Sequence, residues 1–273
     1  MRKDRTHSGL IAAAVVGVAM LCAAAPAAQA AELKPKVTRL QVAAPKQMLF
    51  IGNSYLYYGD AMHNHVRRMA IAAKHHDAKA LVYKLATISG SALFDHDITS
   101  YLKPGQLRVK GPFEVVVLQG GSGAILSEQR RAKFLATVKT FAAEIKKAGG
   151  ETALYMTHAY VKPHKQFKPG MIDDLVKLYV ETGNAVGALV IPVGLAFEEA
   201  YRRKPGIVLH KAFDGTHPDL NGTFLAACVV YMSLYGQSPV GNSYDYYGKI
   251  DKETVRFLQQ VAHDTVTRFY GKS

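Results

Sequence analysis

Cysteine is almost missing from this 273-residue chain: Cys22 and Cys228 are the two present. An N-terminal leader is expected to remove the first, so no internal disulfide can form and stability must come from a packed core. Acidic residues are also short, with 21 Asp and Glu against 34 Lys and Arg and a formal net charge of +13. The excess is spread as pairs on apparent helices, Arg67-Arg68, Arg130-Arg131, Lys146-Lys147 and Arg202-Arg203. That spacing suits solvated helix faces, with weak attraction to anionic envelope surfaces as the sharper alternative. No nucleic-acid-binding module is recognisable, so nucleic acid is not an expected partner. Internal repeats, low-complexity linkers and a second domain are missing as well.

The one long hydrophobic run sits at the start. Arg2, Lys3 and Arg5 precede an apolar stretch over 10–25, and Ala28-Gln29-Ala30 supplies small residues for cleavage. This is the pattern of a secretory signal over 1–30, and the run is shorter than the ~20 residues that span a bilayer. Bulky Met20 and Leu21 before Cys22 argue against lipid attachment at that cysteine. The expectation is an exported bacterial protein, periplasmic or secreted, with no transmembrane segment after cleavage. Residues 31–46, with Pro35 and Pro45, read as an extended lead-in, and 47–273 as a single domain.

Within that domain short apolar runs alternate with longer amphipathic ones, the pattern of a mostly parallel sheet with crossover helices. Strands are expected at 47–51, 81–86, 114–118, 152–157 and 189–193. Helices are expected at 61–74, 128–148, 170–183, 195–203, 221–234 and 252–270. If the five strands lie in the order 2-1-3-4-5, the loop after strand 1 is flanked by those after strands 2 and 3, where ligands of open α/β sheets bind.

Chemistry is available at those places. Ser54 follows Met48-Leu49-Phe50-Ile51-Gly52-Asn53, so its hydroxyl emerges at a strand-to-helix turn whose helix N-terminus favours negative charge. A serine capping a helix would look the same. Asp214-Gly215-Thr216-His217-Pro218 sets a carboxylate three positions before an imidazole, which suits a base and its orienting partner, although Asp-Gly also makes ordinary turns. Strand 5 lies ~14 Å from strand 1 at ~4.8 Å per strand, and the segment 204–213 reaches ~30 Å when extended, so His217 can meet Ser54.

Gly52-Asn53-Ser54, Ile88-Ser89-Gly90, Leu118-Gln119-Gly120-Gly121-Ser122 and Asp214-Gly215-Thr216-His217-Pro218 occur in the order of the four motif blocks of SGNH hydrolases, also called GDSL esterases. The resemblance runs over about 48–227. It implies a flavodoxin-like three-layer α/β/α sandwich and ester hydrolysis through an acyl-enzyme, with no metal or organic cofactor. By position, Ser54 resembles the nucleophile, His217 the general base and then acid, and Asp214 the orienting carboxylate. The oxyanion hole is implied to use the backbone N–H groups of Ser54 and Gly90. Asn53 replaces the usual aspartate of the first block, which is not a triad member. The third block normally supplies an asparagine amide. Here Gln119 is the expected donor, because Gln119-Gly120-Gly121 is similar to the third block of carbohydrate acetylesterases, and Ser122 is the alternative.

Other groups weigh less. His63 with His65, His75 with His76, and Asp95-His96-Asp97 have ligand chemistry, but His63 and His65 point to different faces of a helix, and no metal site is expected. Tyr55, Tyr57, Tyr58, His158 and Tyr160 are either core residues or pocket walls. The expected function is an exported serine esterase acting on a small-molecule or polysaccharide ester, with O-acetylated carbohydrate favoured. Lipid esters, acyl transfer to sugars, and a non-catalytic carbohydrate- or envelope-binding protein are the alternatives.

Overall fold

Strand β1 (Gln47–Gly52) has no exposed face: Met48, Leu49, Phe50 and Ile51 are all fully buried. Successive side chains of a strand point to opposite sides, so such a strand needs cover on both. Met48 and Phe50 enter one hydrophobic core, while Leu49 and Ile51 enter another. The computed structural model describes residues 33–271. The leader expected over 1–30, residues 31–32 of the lead-in and the last two residues lie outside them.

Strands β2 (Val82–Thr87), β3 (Val115–Gln119), β4 (Glu151–Tyr155) and β5 (Leu189–Ile191) complete a parallel sheet in the order β2-β1-β3-β4-β5. This is the expected order. The helices are α1 (Ser54–Tyr57), α2 (Met62–Ala72), α3 (Ile98–Tyr101), α4 (Glu128–Lys147), α5 (Met171–Val186), α6 (Val193–Arg203), α7 (Leu220–Tyr235) and α8 (Lys252–Phe269). Phe134, Val138, Phe141 and Ile145 of α4 and Leu175 and Leu178 of α5 pack on the Leu49 side of the sheet. The opposite side is covered from α2, α6, α7 and α8. The result is the α/β/α sandwich the motif resemblance implies. Helix α7 is buried at every position from Gly222 to Tyr235, as befits a sequence without a polar face.

Boundaries differ from expectation where local chemistry intervenes. Strand β5 stops at Ile191 rather than 193, because Pro192 has no N–H to donate to a ladder and Val193 already opens α6. Strand β4 ends at Tyr155 rather than 157. The one-turn helices α1 and α3 are too short to leave an apolar period in the sequence. The lead-in from residue 33 is irregular but tied down. The N–H groups of Gln41 and Val42 donate to the Glu151 carboxylate at 2.9–3.0 Å, and Leu40 joins the core. Among the described residues no helix is long and apolar enough to cross a membrane.

Candidate active site

At the carboxyl end of β1 the chain turns sharply into α1. Asn53 caps that helix, its side chain accepting from the Tyr55 N–H at 3.1 Å and donating to the Ser91 carbonyl at 2.8 Å. Ser54 is therefore held between the loops that follow β1 and β2. Gly52 has to be glycine: a Cβ there would meet Gln119 Oε1 at 2.4 Å.

The Asp214–Pro218 segment reaches the same place from the other end of the chain. His217 Nε2 lies 2.8 Å from Ser54 Oγ, and His217 Nδ1 lies 2.6 Å from Asp214 Oδ2. Because the carboxylate only accepts, Nδ1 carries the proton, leaving Nε2 to accept from the serine hydroxyl. The second carboxylate oxygen, Oδ1, accepts from the N–H groups of Thr216 at 2.9 Å and His217 at 3.1 Å. Partial burial pushes the Asp214 carboxyl up, but those N–H groups and the imidazole outweigh it and hold it below the usual carboxylate range. Gly215 makes the turn possible, since it has φ +64° and a Cβ would meet the Val161 carbonyl at 2.2 Å. Asp219 closes the segment, accepting from Lys211 Nζ at 2.8 Å and capping α7.

Aromatic rings fix this loop in place. The His217 ring stacks on Tyr58 with centroids 4.2 Å apart. Behind it His158 is sandwiched between Tyr55 and Phe197, at 4.4 and 4.3 Å. His158 Nε2 donates to the Thr216 carbonyl at 2.8 Å, while the Tyr55 hydroxyl bonds the Thr216 side chain. Burial, and then the neighbouring His210, push His158 well below its ordinary value, so it is a neutral strut. Tyr160 is buried and donates to Ser122 Oγ at 3.1 Å. Of the residues read as core or pocket wall, Tyr55 lines the cavity and His158 belongs to its support. Nothing in the sequence singled out Thr216 as the group joining Tyr55 and His158 to the loop. Its position inside the Asp214–Pro218 block was the available signal.

A cavity of about 590 Å³ opens beside Ser54 and His217, lined also by Gly90, Ser122, Phe94 and Arg130. Gln119 does not reach it. Its side chain is 1% exposed and lies beneath Gly52, with Oε1 accepting from the Asn53 N–H at 2.9 Å and Nε2 donating to the Gly120 carbonyl. The expectation that the Gln119 amide faces a reacting carbonyl is therefore corrected. Gln119 is still a β3 ladder residue, paired with Tyr155, and its side chain is committed to the interior. The cavity is furnished by the loop that follows, where Ser122 stands.

Four of the five histidines weighed as ligands have separate hydrogen-bond partners, while His63 Nδ1 is buried without one among the described residues. His65 bonds the Gly59 carbonyl and Tyr244, His75 bonds Tyr231, His76 the Ala44 carbonyl, and His96 the Gly52 carbonyl. Among the described residues no three His, Cys, Asp or Glu side chains converge as a metal-ligand group.

No family model and no curated protein matches the sequence. Solved structures do match. A DUF4886 family protein from Bacteroides uniformis aligns with a TM-score of 0.61 at 19% identity, over 83% of this chain and 95% of the other. An acetylxylan esterase from Geobacillus stearothermophilus aligns with a TM-score of 0.53 at 17% identity, over 74% and 99%. A candidate SGNH hydrolase from Slackia heliotrinireducens gives 0.52 at 18% identity, over 69% and 98%. At these identities the likeness is one of architecture: the chain has the fold found in SGNH hydrolases.

Proposed function

We propose that the protein is a serine ester hydrolase of the SGNH type, with Ser54 as nucleophile, His217 as general base and acid, and Asp214 as the orienting carboxylate. The observation that carries this reading is the unbroken chain Ser54 Oγ to His217 Nε2 at 2.8 Å and His217 Nδ1 to Asp214 Oδ2 at 2.6 Å, opening on a cavity. Distances of that size allow proton transfer without rearrangement.

In the proposed reaction Ser54 Oγ attacks the ester carbonyl carbon as its proton passes to His217 Nε2. The carbonyl oxygen becomes an oxyanion. It is stabilised by the N–H groups of Ser54 and Gly90 and by the Ser122 hydroxyl, which takes the place expected of Gln119. Ser122 Oγ accepts from Tyr160 and lines the cavity, and its hydroxyl proton is the donor it would turn toward the oxyanion. The alcohol leaves with the proton from Nε2, giving an acyl-Ser54. Water, deprotonated by the same nitrogen, then attacks the acyl carbon and releases the acid.

O-Acetylated carbohydrate is the proposed substrate class. The glutamine-glycine third block and the fold shared with an acetylxylan esterase support it. Export through the 1–30 leader would bring the enzyme to envelope or environmental polysaccharide. The test is pre-steady-state hydrolysis of 4-nitrophenyl acetate. A burst of one 4-nitrophenol per chain, lost in Ser54→Ala, is expected. Hydrolysis that persists in Ser54→Ala at the original rate would overturn the reading.

A further inference from the structure

The same helix that borders the cavity carries two cations whose charge has no carboxylate partner among the described residues. Arg130 and Lys133 are one turn apart on α4, and both line the cavity together with Ser54 and His217. Among the described residues neither takes part in an ion pair within 4 Å. Lys133 Nζ sits 3.3 Å from the centroid of the Phe94 ring, and that ring is 46% exposed on the cavity wall. Such a contact holds the ammonium at the wall without neutralising it. Arg130 approaches the loop after β3, where a Cβ on Gly123 would meet its Nη1 at 2.8 Å.

The neighbouring basic residues behave differently, so a generally basic helix face is not a sufficient account. Arg131 turns away and donates through Nη1 to the Ile125 carbonyl at 2.6 Å. Lys139, Lys146 and Lys147 lie on the same helix but outside the cavity. One lining carboxylate opposes the pair. It is Asp95, whose Oδ2 is engaged by the Ala92 N–H at 2.9 Å. Two permanent positive charges against one carboxylate leave the lining cationic beside the serine.

We propose that the ester handled at Ser54 is carried on a sugar that also bears an oxyanion, a carboxylate or a phosphate, held by Arg130 and Lys133. The proposal rests on the serine-esterase reading and narrows its substrate. Arg130 offers paired N–H donors that fit either oxyanion, and Lys133 adds a point charge beside an apolar ring on which a sugar face can lie.

Calorimetric titration of the full chain carrying Ser54→Ala tests it without requiring turnover. The probes are O-acetylated methyl glucuronoside, O-acetylated methyl glucoside and its 6-phosphate. Anionic probes are expected to bind about tenfold tighter than the neutral one at low salt, with the gap shrinking as sodium chloride is added. Adding Arg130→Gln and Lys133→Gln together should remove the preference, with an unshifted thermal melt confirming that the variant is folded. Whichever anion binds more tightly identifies the source of the charge. Equal binding of charged and neutral probes, no binding of any, or a preference that survives the double substitution would overturn the proposal. Hydrolysis of the neutral ester by the protein with Ser54 intact reports on the esterase reading separately, so failure of one is distinct from failure of the other.

Discussion

His217 has both ring nitrogens assigned, one to Asp214 and one to Ser54, and its faces are constrained by Tyr58. At the residue scale, the proposed mechanism has Asp214 fix that tautomer, so Asp214→Asn is expected to lower kcat by about 10,000-fold, the size seen when an orienting carboxylate becomes an amide. Steady-state kinetics on an activated acetate ester checks it. Ser122 and Gln119 separate by the kind of damage each substitution does. Ser122→Ala is expected to cost about 100- to 1000-fold in kcat with little change in melting temperature. Gln119→Ala leaves the buried Asn53 N–H without its acceptor and is expected to destabilise the fold by roughly 1–3 kcal/mol in urea titration. The reverse pattern would restore Gln119 to the oxyanion hole.

At the scale of elements, much was legible because the sequence declares what each segment does by itself. The apolar run that becomes β1 and the hydrophobic α7 follow from pattern, while the order β2-β1-β3-β4-β5 agrees with what the motif resemblance implied. What was not legible depends on contacts between segments. Gln119 looks like a cavity residue from its motif, yet its amide is held inside by the Asn53 N–H and the Gly120 carbonyl. Arg130 and Arg131 are adjacent and read alike, but one lines the cavity and the other caps the Ile125 carbonyl. Only the path of the loops after β2 and β3 distinguishes them. The junction of the His217 loop with α7 can be probed directly. Asp219 caps that helix and pairs with Lys211, so Asp219→Ala is expected to cost about 1 kcal/mol, rising toward 2 with the lost ion pair. A chemical denaturation midpoint that does not move would contradict that role.

On the scale of the whole molecule, the rings supporting the site make stability depend on pH. Burial pushes His158 well below 6.5 and His210 down to about 4, so both are neutral in the folded protein near pH 7. The unfolded chain takes up protons first as pH falls, and the folded state is therefore favoured above the ordinary histidine value. Stability is expected to be full above pH ~6.5 and to fall on acidification toward pH ~4, by up to about 1.4 kcal/mol per pH unit for each histidine. The carboxylates add to the loss lower down. Glu199, held to about 2 chiefly by its hydrogen bonds with Arg202 against partial desolvation, contributes only below its ordinary range near 4.5. A flat urea-denaturation profile between pH 7 and 5 would contradict the buried neutral histidines. The most direct test of the central claim also needs the whole molecule, because Ser54 and His217 are 163 residues apart and meet only in the folded chain. Incubation with a fluorophosphonate followed by peptide mapping should show one adduct, on Ser54, in the folded protein, with none after unfolding and a large loss of rate in His217→Ala. Folded protein in which Ser54 stays unlabelled would contradict the account.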